Sequence, residues 1–398
     1  MWMVKNCVNL VNLEYNVIKK RGDQMRVIVA AAGTAGHINP GLAIANKIKQ
    51  EQPNSEIIFI GTTRGLENDL VPRAGYELKT IEAYGLSKKI SFDNLKKLYK
   101  TFRGLGQAKK IVKEFKPDIV IGTGGYICGA VITAASQQGI PTLLHESNAF
   151  PGKAVKMLAK RTDTILVSFQ DAKDRIPDAK KVVCTGTPVK IKKQNYGINE
   201  KNEIIKENGF NSSKPIVLVY GGSQGAQKIN EALTQIIKEK LNKNYQVIWA
   251  TGPKQYDIIK ENLGNIDIEN IENMKVVPYI YDMEKVMNVA DLIVARSGAM
   301  TITEISNLGK ASILVPLPNV SNNHQMYNAK VLEKINAAKI IVNDDLNGKL
   351  LNDTITEIVS DKEKLKVMGD SAYSISIKDT QDKIFQEILA LINKNNLK

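Results

Sequence analysis

Short apolar runs alternate with longer amphipathic stretches along most of the chain. In the first half, Arg26-Val-Ile-Val-Ala30, Glu56-Ile-Ile-Phe-Ile60, Ile119-Val-Ile121, Pro141-Thr-Leu-Leu144, Thr164-Ile-Leu-Val-Ser168 and Lys181-Val-Val-Cys184 read as buried strands, rich in β-branched residues and bounded by glycine or polar residues. Between them, helical spacing predicts a helix from about Pro40 to Gln50, one carrying Phe92, Leu95, Tyr99 and Phe102, and one from Tyr126 to about Gln138. A polar stretch from Lys190 to Lys214 follows, with a short helix over Glu203–Asn208. The alternation then restarts with strands at Ile216-Val-Leu-Val-Tyr220, Gln246-Val-Ile-Trp249, Lys275-Val-Val-Pro278, Leu292–Ala295 and Ile313-Leu-Val315, and a helix over Ala226–Leu241.

Repeated strand–helix units predict an α/β architecture of doubly wound parallel sheets. The break at Lys190 divides it into two Rossmann-like domains facing a central cleft, residues 25–187 and 188–375. A final helical run within 376–398 has the first domain among its possible packing partners. Residues 1–24 read as a non-native leader or a disordered extension. They lack the apolar core and cleavage site of a signal peptide, and the codons for Arg21-Gly22-Asp23 can spell a ribosome-binding site just before Met25.

Composition changes this picture little. At 43% hydrophobic and 24% charged, the 398 residues suit a soluble globular protein, and no apolar run approaches the roughly 20 residues of a membrane-spanning helix. Cys7, Cys128 and Cys184 are scattered, which excludes a disulfide framework. Charge is more telling. The net +14 is concentrated in residues 25–187, which carry 24 Lys/Arg against 14 Asp/Glu, whereas 188–398 carry 27 against 25. The first domain therefore expects an anionic partner.

Three glycine-rich turns each follow a strand and open a helix, where free backbone N–H groups can hold an anion. They are Ala31-Ala-Gly33-Thr-Ala-Gly36-His37-Ile-Asn-Pro40, Gly122-Thr-Gly-Gly125-Tyr126 and Gly221-Gly-Ser-Gln-Gly225-Ala226. The first approximates a dinucleotide fingerprint, but Ala31 stands at its first glycine and Gly61-Thr62 ends the second strand without a ribose-binding acid. This argues against NAD or FAD. His37, one of three histidines, sits in that turn.

Other candidates lie at strand ends. Glu146, after His145, suits an acid or base, or an orienter of its loop. His324-Gln325 opens a helix after Pro316-Leu-Pro318. In Arg296-Ser-Gly-Ala-Met-Thr-Ile-Thr-Glu304, Thr301 and Glu304 fit either a helix capping box or a ligand site with Glu304 on a sugar hydroxyl. No Asp-x-Asp or His/Cys cluster has metal spacing, so neither a metal nor a cofactor is expected. Charge compensation for a leaving phosphate falls to helix ends and basic groups, with Lys190 at the domain junction as the candidate.

Between residues 88 and 116 lie ten Lys/Arg against Asp93 and Glu114, interleaved with Phe92, Leu95, Tyr99 and Phe102. Part of this helix must join the core. Segment 86–103 also reads as an interfacial patch, its apolar tips in lipid and its lysines on anionic headgroups. It shows no nucleic-acid motif, so a membrane surface is favoured over nucleic acid.

Taken in order, the Ala32–Pro40, Gly122–Tyr126, His145–Asn148, Gly221–Ala226 and Arg296–Glu304 motifs, with His324-Gln325 and Asn328-Ala329, resemble the MurG family from Met25 onward. The resemblance implies a two-domain GT-B glycosyltransferase, inverting and metal-independent. It would move N-acetylglucosamine from UDP-GlcNAc to the C4 hydroxyl of the muramoyl sugar of lipid I, on the cytoplasmic face of the bacterial membrane and in the company of cell-wall synthesis proteins. It implies that Thr34, Ala35, Gly36 and Asn148 contact the donor sugar. Ser223 would hold its phosphate, Ile280 the uracil through its backbone, and Ala299, Met300, Thr301, Ile302 and Thr303 the nucleotide. Glu304 would take the ribose hydroxyls and Gln325 those of the sugar. The Gly33–His37 turn, with Gly124, Gly125 and Tyr126, would receive the acceptor's diphosphate, and His37 would be the general base with Glu146 as rival. Two residues depart from the family pattern: Ala32 in place of Gly, and Lys190 in place of Arg, which loses the bidentate fork. The rivals are a glycolipid galactosyltransferase, a UDP-GlcNAc 2-epimerase and a non-catalytic nucleotide-sugar sensor.

Overall fold

A computed structural model describes residues 24–85, 92–222 and 224–396. The chain separates into two units, one holding the described residues up to Pro188 and from Lys378 on, the other Val189–Ile377. Nearly all of the supposed leader, Ser223, and the 86–91 part of the basic segment lie outside the described residues.

In the first unit the elements run β1 (Arg26–Ala31), α1 (Ala35–Glu51), β2 (Glu56–Gly61), α2 (Glu67–Arg73), β3 (Glu77–Thr80), α3 (Phe92–Phe115), β4 (Ile119–Gly124), α4 (Ile127–Ser136), β5 (Thr142–Glu146), α5 (Lys153–Leu158), β6 (Thr164–Val167), α6 (Gln170–Lys173) and β7 (Val182–Cys184). The strands form one parallel sheet in the order β3-β2-β1-β4-β5-β6-β7. β1 pairs β2 on one side and β4 on the other, with Val29 opposite both Phe59 and Ile121. Helices cover both faces, which is why the central strands are apolar at every position instead of alternating.

The second unit runs α7 (Ile198–Glu207), β8 (Ile216–Tyr220), α8 (Gln227–Lys238), β9 (Gln246–Ala250), α9 (Pro253–Leu263), β10 (Met274–Val277), α10 (Met283–Val289), β11 (Leu292–Ala295), α11 (Ala299–Leu308), β12 (Ala311–Leu314), α12 (His324–Glu333), β13 (Ala338–Ile340), α13 (Gly348–Val359) and α14 (Lys362–Ser374). Its parallel sheet has the order β10-β9-β8-β11-β12-β13. In both sheets the order reverses beside the first strand, between β1 and β4 and between β8 and β11. A crevice for ligands opens beyond the carboxyl ends of the strands at such a point.

The last helix, α15 (Thr380–Asn396), completes the first unit. Its Ile384, Phe385, Ile388, Leu389 and Ile392 are buried in one cluster with Ile44 and Ile48 of α1 and with Val27 and Val29 of β1. Ion pairs of Lys47 with Asp382 and of Lys181 with Glu387 flank the seam. No helix among the described residues is long and apolar enough to cross a membrane.

Three readings of the sequence need correction. The first helix begins at Ala35, not near Pro40. Pro40 looks like a helix start because its ring suits the first turn. Here it sits in the sixth position, where its missing N–H removes the one bond that would reach back to the Gly36 carbonyl. His37 is therefore the third residue of α1, not a loop residue. The second correction concerns Thr301. The N-cap of α11 is Gly298, with ψ of 148°, so Thr301 lies inside the first turn and the Thr301–Glu304 capping box does not exist. Third, β3 and β13 are additional strands. Both are edge strands of three or four residues, all but Ala338 at least partly exposed, without the apolar run that marks the others.

Candidate functional site

On the first unit the site is built where β1 and β4 end. The backbone turns at Gly33, with φ of +97°, and α1 begins two residues later. Thr34 carbonyl oxygen accepts from His37 N at 3.0 Å and Ile38 N at 3.2 Å. The second turn follows with Gly124 at φ +140° and Gly125 at φ +85°. These glycines are required by contact as well as by conformation. A Cβ on Gly124 would overlap the His37 ring, and one on Gly125 would lie 2.6 Å from the Ala32 carbonyl oxygen. Thr123 Oγ1 donates to the His37 carbonyl oxygen at 2.8 Å. The two turns thus form one surface, with His37 half-buried between them and Tyr126 66% exposed at its rim. Ala32 is buried and is not among the residues with positive φ, so the alanine in place of the family's glycine fits without strain.

Glu67, which the sequence reading passed over, supports this surface from behind. It is fully buried. One carboxylate oxygen accepts from Gly33 N at 2.8 Å; the other accepts from Thr62 N at 2.9 Å and Thr62 Oγ1 at 2.7 Å. Burial pushes its pKa up, but these donors more than offset it and hold the carboxyl below its ordinary value. The Gly33 N–H is consequently not available to an anion.

The His145–Asn148 motif resolves into framework. His145 is buried, its Nε2 3.0 Å from the Gly186 carbonyl oxygen, and burial pushes its pKa down to about 4. Glu146, also buried, accepts from Asn148 N at 2.9 Å, Asn148 Nδ2 at 3.0 Å and Gly152 N at 2.7 Å. Of the two readings of Glu146, loop orientation is the one this geometry performs, and it is also what places Asn148.

On the second unit the corresponding surface lies where β8 and β11 end. Gly222 (φ +83°), Gly225 (φ +76°) and Gly252 (φ +89°) close a compact turn, Gly225 N donating to Gly222 oxygen at 3.0 Å. A Cβ on Gly225 would overlap the Thr251 carbonyl oxygen. Asn230 of α8 locks the turn, donating to that same oxygen at 2.9 Å and accepting from Trp249 Nε1 at 3.1 Å. Arg296 ties the end of β11 to its neighbours, Nη1 donating to Val315 oxygen at 3.0 Å and to Asn343 Oδ1 at 2.8 Å. Ser297 Oγ donates to Gln325 oxygen at 2.8 Å, and Asn328 Nδ2 to Ser297 oxygen at 3.1 Å, so the start of α12 is fixed to the start of α11. Gln325 Oε1 accepts from Leu317 N at 2.9 Å.

Glu304 stands in the second turn of α11. Burial pushes its carboxyl from 4.5 up to about 7. Beside it the Tyr220 phenol is pushed up too, by burial first and then by the charge of Glu304. Ala299, Met300 and Thr301 are partly exposed in the first turn of this helix, whereas Ile302 and Thr303 are buried. Ile280 is buried between Tyr279 and Tyr281, whose rings meet edge-on at 5.1 Å. A cavity of about 260 Å³ beside it is lined also by Ile248, Lys275 and Val277. Lys190 is exposed near the start of the unit.

The basic helix α3 has two parts. Toward its end Ala108, Val112 and Phe115 are buried, and Gly104 lies against the backbone of Glu82, where a Cβ would overlap. Earlier, Tyr99 and Phe102 are 71% and 66% exposed, with Leu98 partly so, among exposed Lys96 and Arg103.

Comparison with known proteins agrees with this division. Residues 27–167 match the glycosyltransferase family 28 N-terminal domain and residues 216–386 the family 28 C-terminal domain. A UDP-N-acetylglucosamine–N-acetylmuramyl-(pentapeptide) pyrophosphoryl-undecaprenol N-acetylglucosamine transferase of Acetivibrio thermocellus is 44% identical, covering 93% of this chain and 99% of its own. The protein of that name in Clostridioides difficile is 42% identical, covering 93% and 90%. Among solved structures, MurG of Acinetobacter baumannii superposes with a TM-score of 0.74 at 28% identity, over 93% of this chain and 99% of that one. A UDP-N-acetylglucosamine 2-epimerase of Listeria monocytogenes has a TM-score of 0.63 at 13% identity over 93% and 97%, a likeness of fold alone.

Proposed function

The chain belongs to glycosyltransferase family 28 and, within it, to the UDP-N-acetylglucosamine–N-acetylmuramyl-(pentapeptide) pyrophosphoryl-undecaprenol N-acetylglucosamine transferases, and on that premise we propose its reaction and the residues that carry it. It transfers N-acetylglucosamine from UDP-GlcNAc to the C4 hydroxyl of the muramoyl sugar of lipid I, giving lipid II and UDP. The observation that carries the residue roles is His37, set on a surface made jointly by two glycine turns.

A single inverting displacement needs a base for the acceptor and stabilisation for the leaving diphosphate. His37 takes the proton of the C4 hydroxyl as that oxygen bonds to the anomeric carbon. The anomeric bond to phosphate breaks from the opposite face, and the electron pair leaves with UDP. Glu146 is not the base in this reading, because both of its oxygens are engaged by its own loop. The Gly124–Tyr126 turn and the N–H groups of Thr34, Ala35 and Gly36 receive the acceptor diphosphate and donor sugar, with Asn148 alongside.

On the second unit the first turn of α11, from Ala299 through Thr301 to Thr303, takes the nucleotide. Glu304 accepts from the ribose hydroxyls, Ile280 holds the uracil by its backbone, and Gln325 the sugar hydroxyls. Ser223 holds the donor phosphate, and Lys190 supplies positive charge to it as it departs. Tyr99 and Phe102, among basic groups, support peripheral attachment to the cytoplasmic face of the bacterial membrane, where an undecaprenyl acceptor resides.

The test is acceptor-dependent release of UDP from UDP-GlcNAc and a short-chain lipid I analogue. Release only with acceptor is expected. Folded protein that releases none, or that converts the donor to another sugar nucleotide without acceptor, overturns the reading.

A further inference from the structure

The loop Gly61–Glu67 holds both polar groups of a single residue in the first glycine turn. Glu67 accepts the Gly33 N–H at 2.8 Å, and Leu66 N donates to the Gly33 carbonyl oxygen at 3.2 Å. Thr62 fixes the far side of the carboxylate through N and Oγ1, and Asn68 Nδ2 fixes Thr62 by its carbonyl oxygen at 2.9 Å. The space for this carboxylate is made by two glycines. A Cβ on Gly61 would lie 2.7 Å from Glu67 Cγ, and one on Gly65 would overlap Glu67 Oε2. Neither glycine has positive φ, so the backbone does not explain them; the carboxylate does. A buried anion at this position costs desolvation that an apolar residue would not incur. Its geometry is spent on Gly33, one residue before Thr34, whose carbonyl in turn receives the first N–H bonds of the helix bearing His37.

We propose that Glu67 is a positioning residue for the transfer: its carboxylate clamps Gly33 and so fixes the Thr34–His37 segment that receives the acceptor and the donor's sugar. The inference rests on the transferase reading for its role in turnover. The clamp itself has an independent readout. Glu67 reaches the acceptor and the donor's sugar only through this turn, whereas the nucleotide is assigned to the second unit, so acceptor KM and UDP affinity respond differently.

The experiment compares wild type with Glu67→Gln, which turns an acceptor oxygen into a donor NH₂, and with Gly65→Ala, which keeps every charge and displaces the carboxylate. For each, kcat, the KM of a short-chain lipid I analogue, the Kd of UDP and amide exchange at Gly33 are measured on folded protein. Expected in both variants are a fall in kcat of at least tenfold, a rise in acceptor KM of at least fivefold, a UDP Kd within twofold of wild type and faster Gly33 exchange. Loss of active protein alone would lower apparent kcat and leave KM unchanged. Acceptor KM within twofold of wild type in both variants overturns the positioning role, and unchanged Gly33 exchange overturns the clamp. A wild type without acceptor-dependent UDP release defeats the transferase reading, and the exchange result still decides the clamp. If Glu67→Gln does not fold, Gly65→Ala decides alone.

Discussion

The imidazole of His37 rests on the Cα of Gly124, the two residues coming from different glycine turns and lying so close that a side chain on Gly124 would occupy the ring's place. Gly124→Ala therefore displaces the proposed base and also forces a β-carbon into φ of +140°, a conformation costing on the order of 1–3 kcal/mol. The expected outcome is a lowered melting temperature together with a kcat at least a hundredfold below wild type. UDP affinity, measured by calorimetry, should be preserved. Near-normal turnover would remove the His37–Gly124 contact from the mechanism.

His37→Ala and Glu146→Ala should separate chemistry from framework. The first should lower kcat by roughly 10²–10⁴, the usual worth of a general base, with donor KM within a fewfold of wild type and little change in stability. The second strips acceptors from Asn148 N and Gly152 N and should destabilise the first unit by about 1–3 kcal/mol. Kinetics and thermal melts on both variants check this. A larger kcat loss for Glu146→Ala at equal folded fraction would reverse the assignment.

Glu304 links donor binding and stability to pH with opposite signs. Ribose hydroxyls donate to the carboxylate and so favour its charged form. Donor affinity should then fall as pH drops below about 7, where the group protonates. Stability runs the other way. With the folded pKa raised from 4.5 to about 7, the native state binds more protons across that window, so stability declines as pH rises through it and the full penalty is present above pH 7. Glu304→Gln should be more stable than wild type at pH 8, by on the order of 2 kcal/mol, with no gain at pH 4. It should also raise donor KM more than tenfold. A variant with unchanged donor KM would leave Glu304 outside the ribose site.

Tyr99→Ser combined with Phe102→Ser should reduce sedimentation with vesicles containing anionic lipid, because both rings are exposed. Lys96→Glu, Lys97→Glu and Lys100→Glu together should do the same and weaken the salt dependence of the binding that remains. Lys100 is partly engaged by Tyr84 and Glu82, so Lys96 should carry more of the effect. Vesicle binding equal to wild type in both sets would refute the patch.

The central strands were legible because a sheet covered on both faces writes itself as unbroken apolar runs. β3 and β13 were not, since an edge strand such as Glu77-Leu-Lys-Thr80 lacks that run. Helix starts misled where a local signal matched the wrong register. Pro40 suits a first turn, and Thr301 with Glu304 mimics a capping box, while the true cap, Gly298, offers no side-chain oxygen to recognise. The glycine turns were visible as motifs. Glu67 was not, because its partner Gly33 is 34 residues away and is bound through a backbone group that every residue shares. The clue lay in the spacing Gly61…Gly65-Leu-Glu67: two glycines without positive φ, crowding one carboxylate. The roles of His145 and Glu146 likewise depended on burial, which residue identity alone does not reveal.

The placement of α15 fixes an order of events during synthesis. The second unit is complete once Ile377 has emerged, but the first still lacks its last helix, although nearly all of it was made earlier. Until then Ile44 and Ile48 of α1 have no Ile388 or Leu389 to cover them. The segment made first is thus finished last. A truncation before Lys378 should leave the later half folded and the earlier half with an open apolar seam, prone to association.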